Sequence, residues 1–452
     1  MLNPTVNPAQ LVWKTYEKVL FRLAFIYFFL QTFPLDWKFY RHLLSIDWLH
    51  LSFRELFQIA KYTPQFISGT YDPQNWGLAT FADWGFIFIL AVIGSIIWSF
   101  LDQQRDNYAR LYACLRIIVR YRLAVAVIAY GFLKLFQLQA PYPSISSLNT
   151  PYGDFTTWKM FSLSLGIVPG YESFLGAVEL VAGIFLLYRK TATIGATILI
   201  FFTGNVFMSN LAYEGGEVVY SFYLVTLALF LVFYDGLRII KLIILHVPVA
   251  PAIPVLTWTK QQQIVRLVLK SALILVFLVV YGFSSHNDAA NHGYHFSTQK
   301  GLKGFSGLYT VTNFTKNGNM HPYSLEDTAR WQDVVFEKWA TLSVRINNKD
   351  SIYNENVEQV PLTKQESSFE SSGATGRRYF RYQADTVRHL LHLKDPHATE
   401  AAGTLTYTLQ PDSSLLLSGV IRGDTVLATL QKQTKVYLLK AAQKGRRNGL
   451  KL

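Results

Sequence analysis

The 452-residue sequence predicts a multi-pass α-helical membrane bundle of about seven spans, followed by a C-terminal antiparallel β-sandwich or barrel. Three observations predict it. Hydrophobic residues make up 51% and charged residues 16%, where a soluble chain carries about 25% charge. Apolar runs of membrane-crossing length recur as far as residue 283. Beyond it, short partial alternations separated by Asn, Asp, Gly and Ser take over, as strands require.

The first span covers 16–34. Lys14, Lys18 and Arg22 stand at its start and place the N-terminus in the cytoplasm, because basic residues concentrate on that side. Arg22 lies inside the run, where it either snorkels or makes a packed polar contact. The connection 35–82 contains DWKFYRHLLSIDWLHLSFRELFQIA, which reads as amphipathic helix in the interface. With Lys61, it puts four basic residues on a side that should be poor in them. The second span, 83–101, carries Trp84 and Trp98 as interface anchors.

The return at 102–122, with Arg116, Arg120 and Arg122, is the best cytoplasmic marker, and the third span follows at 121–139. Residues 140–170 form a turn-rich outer loop, in which a re-entrant segment at 157–169 stays open. The fourth span, 172–188, has Glu179 near its midpoint, and the fifth, 192–212, contains Asn205 and Asn210. An acidic turn at 213–217 leads to the sixth span, 218–234, which Asp235 caps. HVPVAPAIPV breaks the helix before the seventh span at 265–283.

An odd number of spans puts the N-terminus inside and the β-domain outside the cytoplasmic (inner) membrane, in a periplasm if there is one. The expected domains are 1–104 (N-terminal helices), 105–245 (a four-helix unit), 246–283 (Pro-rich loop and last span), 284–299 (linker), 300–440 (β-domain) and 441–452 (basic tail). No small-residue cleavage site follows the first apolar run, so that helix should remain as an anchor.

The formal charge of +13 comes with no nucleic-acid recognition motif, and attraction to anionic lipid headgroups is its simpler use. The single cysteine, Cys114, excludes an intrachain disulfide, a CxxC pair, a c-type haem attachment and a cysteine-ligated iron–sulfur cluster. No nucleotide-binding glycine motif, HExxH or GxSxG occurs. His286, His292 and His295, near Asp288, match no strong metal spacing, and no metal is expected. His389 and His392 would face opposite sides of a strand.

Polar groups inside the hydrocarbon are the remaining candidates, since each is costly there. Glu179, with Gly176 and Gly183 on its helix, needs a partner or a proton, and Lys134 is a natural one. Tyr130 lies one turn before Lys134 on the same face. The set binds an anionic or quinone-like group, relays protons, or simply joins helices. Asn205 and Asn210 suit helix–helix hydrogen bonding.

RYRLAVAVIAYGFLKLF, PYGDFT (151–156), GYESFLGAVELVAGIFLLYRKTATIGA and GNVFMSNLAY together resemble DoxX-like integral membrane proteins. The match is to a long bacterial subgroup with a C-terminal extramembrane β-domain opening with a motif like GLYTVTNFTKNG (307–318). The resemblance covers about 15–430 and is densest over 105–240. It implies a four-helix unit whose recurrent polar positions fall on Arg122, Tyr130, Lys134, Tyr152, Glu179, Asn205 and Asn210. Broader relatives include the small subunit of a thiosulfate:quinone oxidoreductase and, distantly, vitamin K-dependent carboxylase-like proteins. Relatives end the β-domain in an aromatic-rich segment, which the basic tail here replaces.

Two functions follow as expectations. One is a redox-linked component that uses a quinone and acts with an extracytoplasmic substrate or partner. The other is a non-enzymatic membrane platform whose outer β-domain binds a partner protein or an envelope lipid.

Overall fold

The computed structural model describes residues 12–35, 37–67, 77–248, 258–290, 295–347, 360, 369–396, 401–411 and 414–441. The chain divides into two compact units, Met1–Phe136 with Phe174–Asn287 and Gln137–Ser173 with Asp288–Leu452.

The first unit is helical: α1 (Thr15–Thr32), α2 (Trp37–Ser45), α3 (Phe53–Ala60), α4 (Ala82–Leu101), α5 (Ala109–Leu135), α8 (Pro169–Leu186), α9 (Ala192–Ala212), α10 (Val218–Ile243), α11 (Lys260–Ile274) and α12 (Tyr281–Ala290). The two short helices α6 (Ile145–Leu148) and α7 (Thr157–Gly166) belong to the other unit. A π-helical turn, Leu275–Val280, joins α11 to α12.

Among the described residues five stretches, not seven, are long and apolar enough to cross a membrane: Thr15–Ser45, Leu78–Leu101, Pro169–Leu186, Ala192–Ala212 and Lys260–Ala290. The third predicted span falls in α5, a 27-residue helix in which every 18-residue stretch holds at least three ionic side chains. The sixth reduces to the shorter apolar stretch Val218–Phe233. The physical reason in α5 is its place in the unit. Residues 123–131 are buried on every face, and Arg116 and Lys134 are buried against the carboxylates of Asp235 and Glu179 on neighbouring helices.

Small residues bring α8 against α5. A Cβ on Gly183 would fall 2.7 Å from Ile128, and one on Gly131 would fall 2.8 Å from Leu180. The segment read as one interfacial helix divides in two. α2 buries nothing, whereas α3 buries Phe53, Arg54, Leu56, Phe57 and Ala60 and is core. Arg22 does not snorkel: its guanidinium donates to the Tyr108 hydroxyl, Ser99 Oγ and the Asp102 carbonyl. Asp235 is an interhelical tie rather than a cap, taking Arg116 Nη2 at 3.3 Å and Thr193 Oγ1 at 2.8 Å.

The second unit is a closed eight-stranded antiparallel barrel. Its strands are β1 (Gly307–Lys316), β3 (Trp331–Phe336), β4 (Thr341–Ile346), β5 (Arg377–Asp385), β6 (Leu390–Lys394), β7 (Ala401–Leu409), β8 (Leu415–Ile421) and β9 (Asp424–Lys432). The two-residue β2 (Asn319–Met320) extends the far end of β1, and β1 pairing with β9 closes the ring. Phe314, Phe336, Leu342, Leu391, Leu405, Leu417 and Leu430 help fill the lumen. Gly403 and Gly419, at φ +148° and +156°, let β7 and β8 bend closely past each other.

Seven strands coincide with the predicted alternations. β3 does not, because all six of its residues are buried and a strand covered on both faces loses the period-two pattern. Part of that cover comes from residues 137–173. Ser146 N and Oγ both donate to Glu337 Oε1 at 2.7 Å, and Arg377 donates to Asp333, Ser343, Thr150 and the Asn149 carbonyl. α7, where a re-entrant segment was left open, joins this unit as well. The buried Lys159 ammonium donates to the Phe369 carbonyl and lies 3.7 Å from that ring's centroid.

Candidate functional site

Arg122 is the fourteenth residue of the 27 in α5. At about 1.5 Å per residue it lies about 9 Å along the helix from Arg116 and about 18 Å from Lys134. It therefore sits deeper than a cytoplasmic-edge marker would. Its Nη1 donates to the Ala60 carbonyl at 2.6 Å and its Nη2 to the Tyr62 carbonyl, so it satisfies acceptors at the C-terminal end of α3. The Tyr62 and Tyr223 ring centroids lie 5.8 and 5.9 Å from the guanidinium carbon. Among the described residues no carboxylate pairs with Arg122, and its Nε is shielded without a hydrogen-bond partner. Part of the side chain remains accessible.

The helical unit also holds two lysine–glutamate pairs, one of them wholly buried. Lys61, which immediately follows α3, pairs with Glu217 at the start of α10, and its ammonium lies 5.9 Å from the Tyr220 ring centroid. Asn210 Oδ1 accepts from the Glu217 N–H at 3.2 Å. Lys134 Nζ meets Glu179 Oε1 at 2.5 Å, both being buried. In each pair the second carboxylate oxygen, Glu217 Oε2 or Glu179 Oε2, is buried with no partner among the described residues.

The predicted residues thus separate. Arg122 and Tyr130 share one aromatic wall, in which the Tyr130 ring stacks on Tyr220 at 5.5 Å and meets Phe57 edge-on at 5.1 Å. Asn210 joins the same region through Glu217. Lys134 and Glu179 form their own pair between α5 and α8. Asn205 is exposed on α9, and Tyr152 is 77% exposed in the barrel unit, so neither joins them.

Sequence reasoning missed Lys61, Tyr62, Glu217, Tyr220 and Tyr223. One signal was present. The excess of basic residues over 35–61, at odds with the charge rule, is resolved by burial of Arg54 and pairing of Lys61. The histidines bring nothing together. His286 stacks edge-on with Phe136 in the helical unit, His295 is bonded to the Leu138 carbonyl in the barrel unit, and His292 lies outside the described residues. Among the described residues no group of three or more His, Cys, Asp or Glu side chains is arranged to hold a metal.

Chemically, the arrangement offers a fixed positive charge with a spare donor, aromatic faces, and two carboxylate oxygens able to take a proton. Comparison with protein-family models, with curated proteins and with solved structures finds no match. A multi-span helical region with a C-terminal antiparallel β-barrel agrees with the general DoxX-like architecture and singles out no family.

Proposed function

We propose that the protein is a quinone-interacting, redox-linked component of the cytoplasmic (inner) membrane, with its N-terminus inside and its barrel on the extracytoplasmic side. The observation that carries this reading is Arg122, a guanidinium at the middle of α5 with no carboxylate partner among the described residues and a shielded Nε donor. A cation so placed is costly unless an electron-rich group shares the site. The carbonyl oxygens of a quinone are such acceptors, and its flat ring suits the walls offered by Tyr130, Tyr220 and Tyr223. A bound quinone would supply the electron- and proton-accepting chemistry. Arg122 would hold and orient a carbonyl oxygen. An extracytoplasmic substrate or another membrane or periplasmic protein would then supply the electrons.

The test is extraction of the full-length protein in mild detergent, followed by analysis of bound quinone. Quinone should co-purify with wild type, and Arg122→Gln should lower its retention about tenfold, as loss of one charge-assisted hydrogen bond implies. Wild type free of quinone, with no quinone reduction in membranes given thiosulfate or sulfite, would overturn the reading.

A second reading makes the chain a non-enzymatic platform whose barrel binds a partner protein or an envelope lipid. It is favoured by the filled lumen, which leaves the outer surface for contact, and by three exposed apolar side chains, Met320 at the end of β2 and Tyr323 and Leu325 on the β2–β3 connection. A Tyr323→Glu/Leu325→Glu double variant should then lose a co-purifying partner that survives Arg122→Gln. Unchanged co-purification would count against this surface.

A further inference from the structure

A different set of cations, which includes Arg120, the twelfth of the 27 residues of α5, has no part in the site above. Arg120 on α5 lies within electrostatic reach of Arg189, which follows α8. Lys270 on α11 lies within reach of Arg120 and of Arg266 on its own helix. Three separate segments of the helical unit thus bring four positive charges together. Like charges repel, so a cluster of this kind needs either solvent or an anion to hold it.

Three further observations point to an anion. Arg120 Nε is buried without a hydrogen-bond partner, and it belongs to the guanidinium edge that forms a two-pronged contact with phosphate. No carboxylate pairs with Arg120, Arg266 or Lys270 among the described residues. The Lys270 ammonium is set over the Tyr188 ring, 3.9 Å from its centroid, which holds it at the junction of α8 and α11.

The surroundings select the kind of anion. Arg189 stands just beyond the apolar stretch Pro169–Leu186, while Arg266 and Lys270 stand in the first third of Lys260–Ala290, so all lie near span ends. α11 buries no residue, and its Ile264, Leu267 and Val268 are exposed next to the cations. An amphiphile fits both halves of this surface, with its headgroup on the charges and its chains along α11. A free phosphate fits only the first.

We infer that Arg120, Arg266 and Lys270, with Arg189 beside them, bind the phosphate headgroup of an anionic phospholipid. The assignment is independent of what occupies the Arg122 region. It is tested by native mass spectrometry of the full-length protein in detergent, with added phosphatidylglycerol, phosphatidylcholine or millimolar inorganic phosphate. Wild type should retain phosphatidylglycerol over phosphatidylcholine. Lys270→Gln and Arg266→Gln should each reduce that retention about fivefold, the loss expected for one cation near a charged lipid. Arg266 is exposed, so its variant keeps the test readable if the others fail to fold. Equal retention of the two lipids by wild type, or undiminished selectivity in both variants, would overturn the site. Displacement of the lipid by inorganic phosphate would overturn the lipid assignment and leave a soluble phosphate as the ligand.

Discussion

Two buried charge networks, one in each unit, are built in opposite ways. In the barrel unit Glu337 and Arg377 are saturated: Glu337 accepts from Ile145 N, Ser146 N and Ser146 Oγ, and Arg377 spends donors on four different residues. In the helical unit Glu179 and Glu217 each have one cationic partner and one idle oxygen, and Arg122 has no counter-charge among the described residues. A saturated network holds a fold in one arrangement, because every member is committed. An unsaturated one costs stability and keeps chemical capacity, which is why the candidate site lies in the helical unit.

The largest effect that would test this contrast is in the barrel. Arg377→Ala takes away one of the two cations on Asp333, leaving Arg345, and removes bonds to both halves of the unit; it should cost about 3–5 kcal/mol. Chemical unfolding of the full-length protein, followed by hydrogen exchange in 137–173 and β3–β5, measures it. No second substitution should restore the loss, since four partners are left behind. Glu179→Ala is next, at about 3 kcal/mol, because it leaves a buried ammonium alone. Here the double variant Lys134→Met/Glu179→Leu should recover most of the thermal stability, the pair having only two members. If the double variant melts as low as the single one, the helical unit is as interlocked as the barrel and the contrast fails.

A slope rather than a step is expected from Glu370. Burial, with the charge of Glu337 nearby, pushes its carboxyl up to about 8, and it accepts from Trp339 Nε1 at 2.8 Å and Thr341 Oγ1 at 3.0 Å. A carboxyl whose folded value exceeds its unfolded value of about 4.3 contributes stability that is complete below that value. The contribution is lost as pH rises through about 8. Lys159, lowered by burial to about 7, works the other way only above that pH. Between pH 5 and about 7, the protection factors of α7 and β4, corrected for the intrinsic base catalysis of exchange, should therefore fall with rising pH in wild type and fall less steeply in Glu370→Gln. Smallest of all, Asn205→Ala on the exposed side of α9 should shift stability by less than about 0.5 kcal/mol in a thermal melt. A larger change would return Asn205 to the site.

Much of this organisation was legible in the sequence. Period-two alternation marked seven strands, most of which, like β6 and β9, have one face on the lumen and one outside. β3 escaped notice because Gln332 and Asp333 are buried too, Gln332 under the Ser324 carbonyl and Asp333 beside Arg377, which also reaches Asn149 and Thr150 far earlier in the chain. Lys134 and Glu179 stood out because ionic residues are rare among apolar ones, and the structure pairs them. The Arg122 surroundings were hidden for a different reason. α3 has the composition of an interfacial helix, and only tertiary packing turns its end inward to meet a guanidinium. Counting spans failed at α5 on the same ground, since a helix enclosed by others tolerates charges that lipid would not.

Ser146 and the carboxylate that holds it, Glu337, are 191 residues apart in the chain. On a ribosome adding about 5–20 residues per second, roughly 10–40 s separate their synthesis. Through that interval the 137–173 segment has emerged, and five helices of the other unit have followed, while the strands that complete its fold do not yet exist. A nascent chain cut short before residue 300 would carry Ser146, Asn149 and Thr150 with none of their barrel partners. Quality control of this protein would therefore act late, at the moment β9 zips onto β1 and the half-built unit acquires its other half.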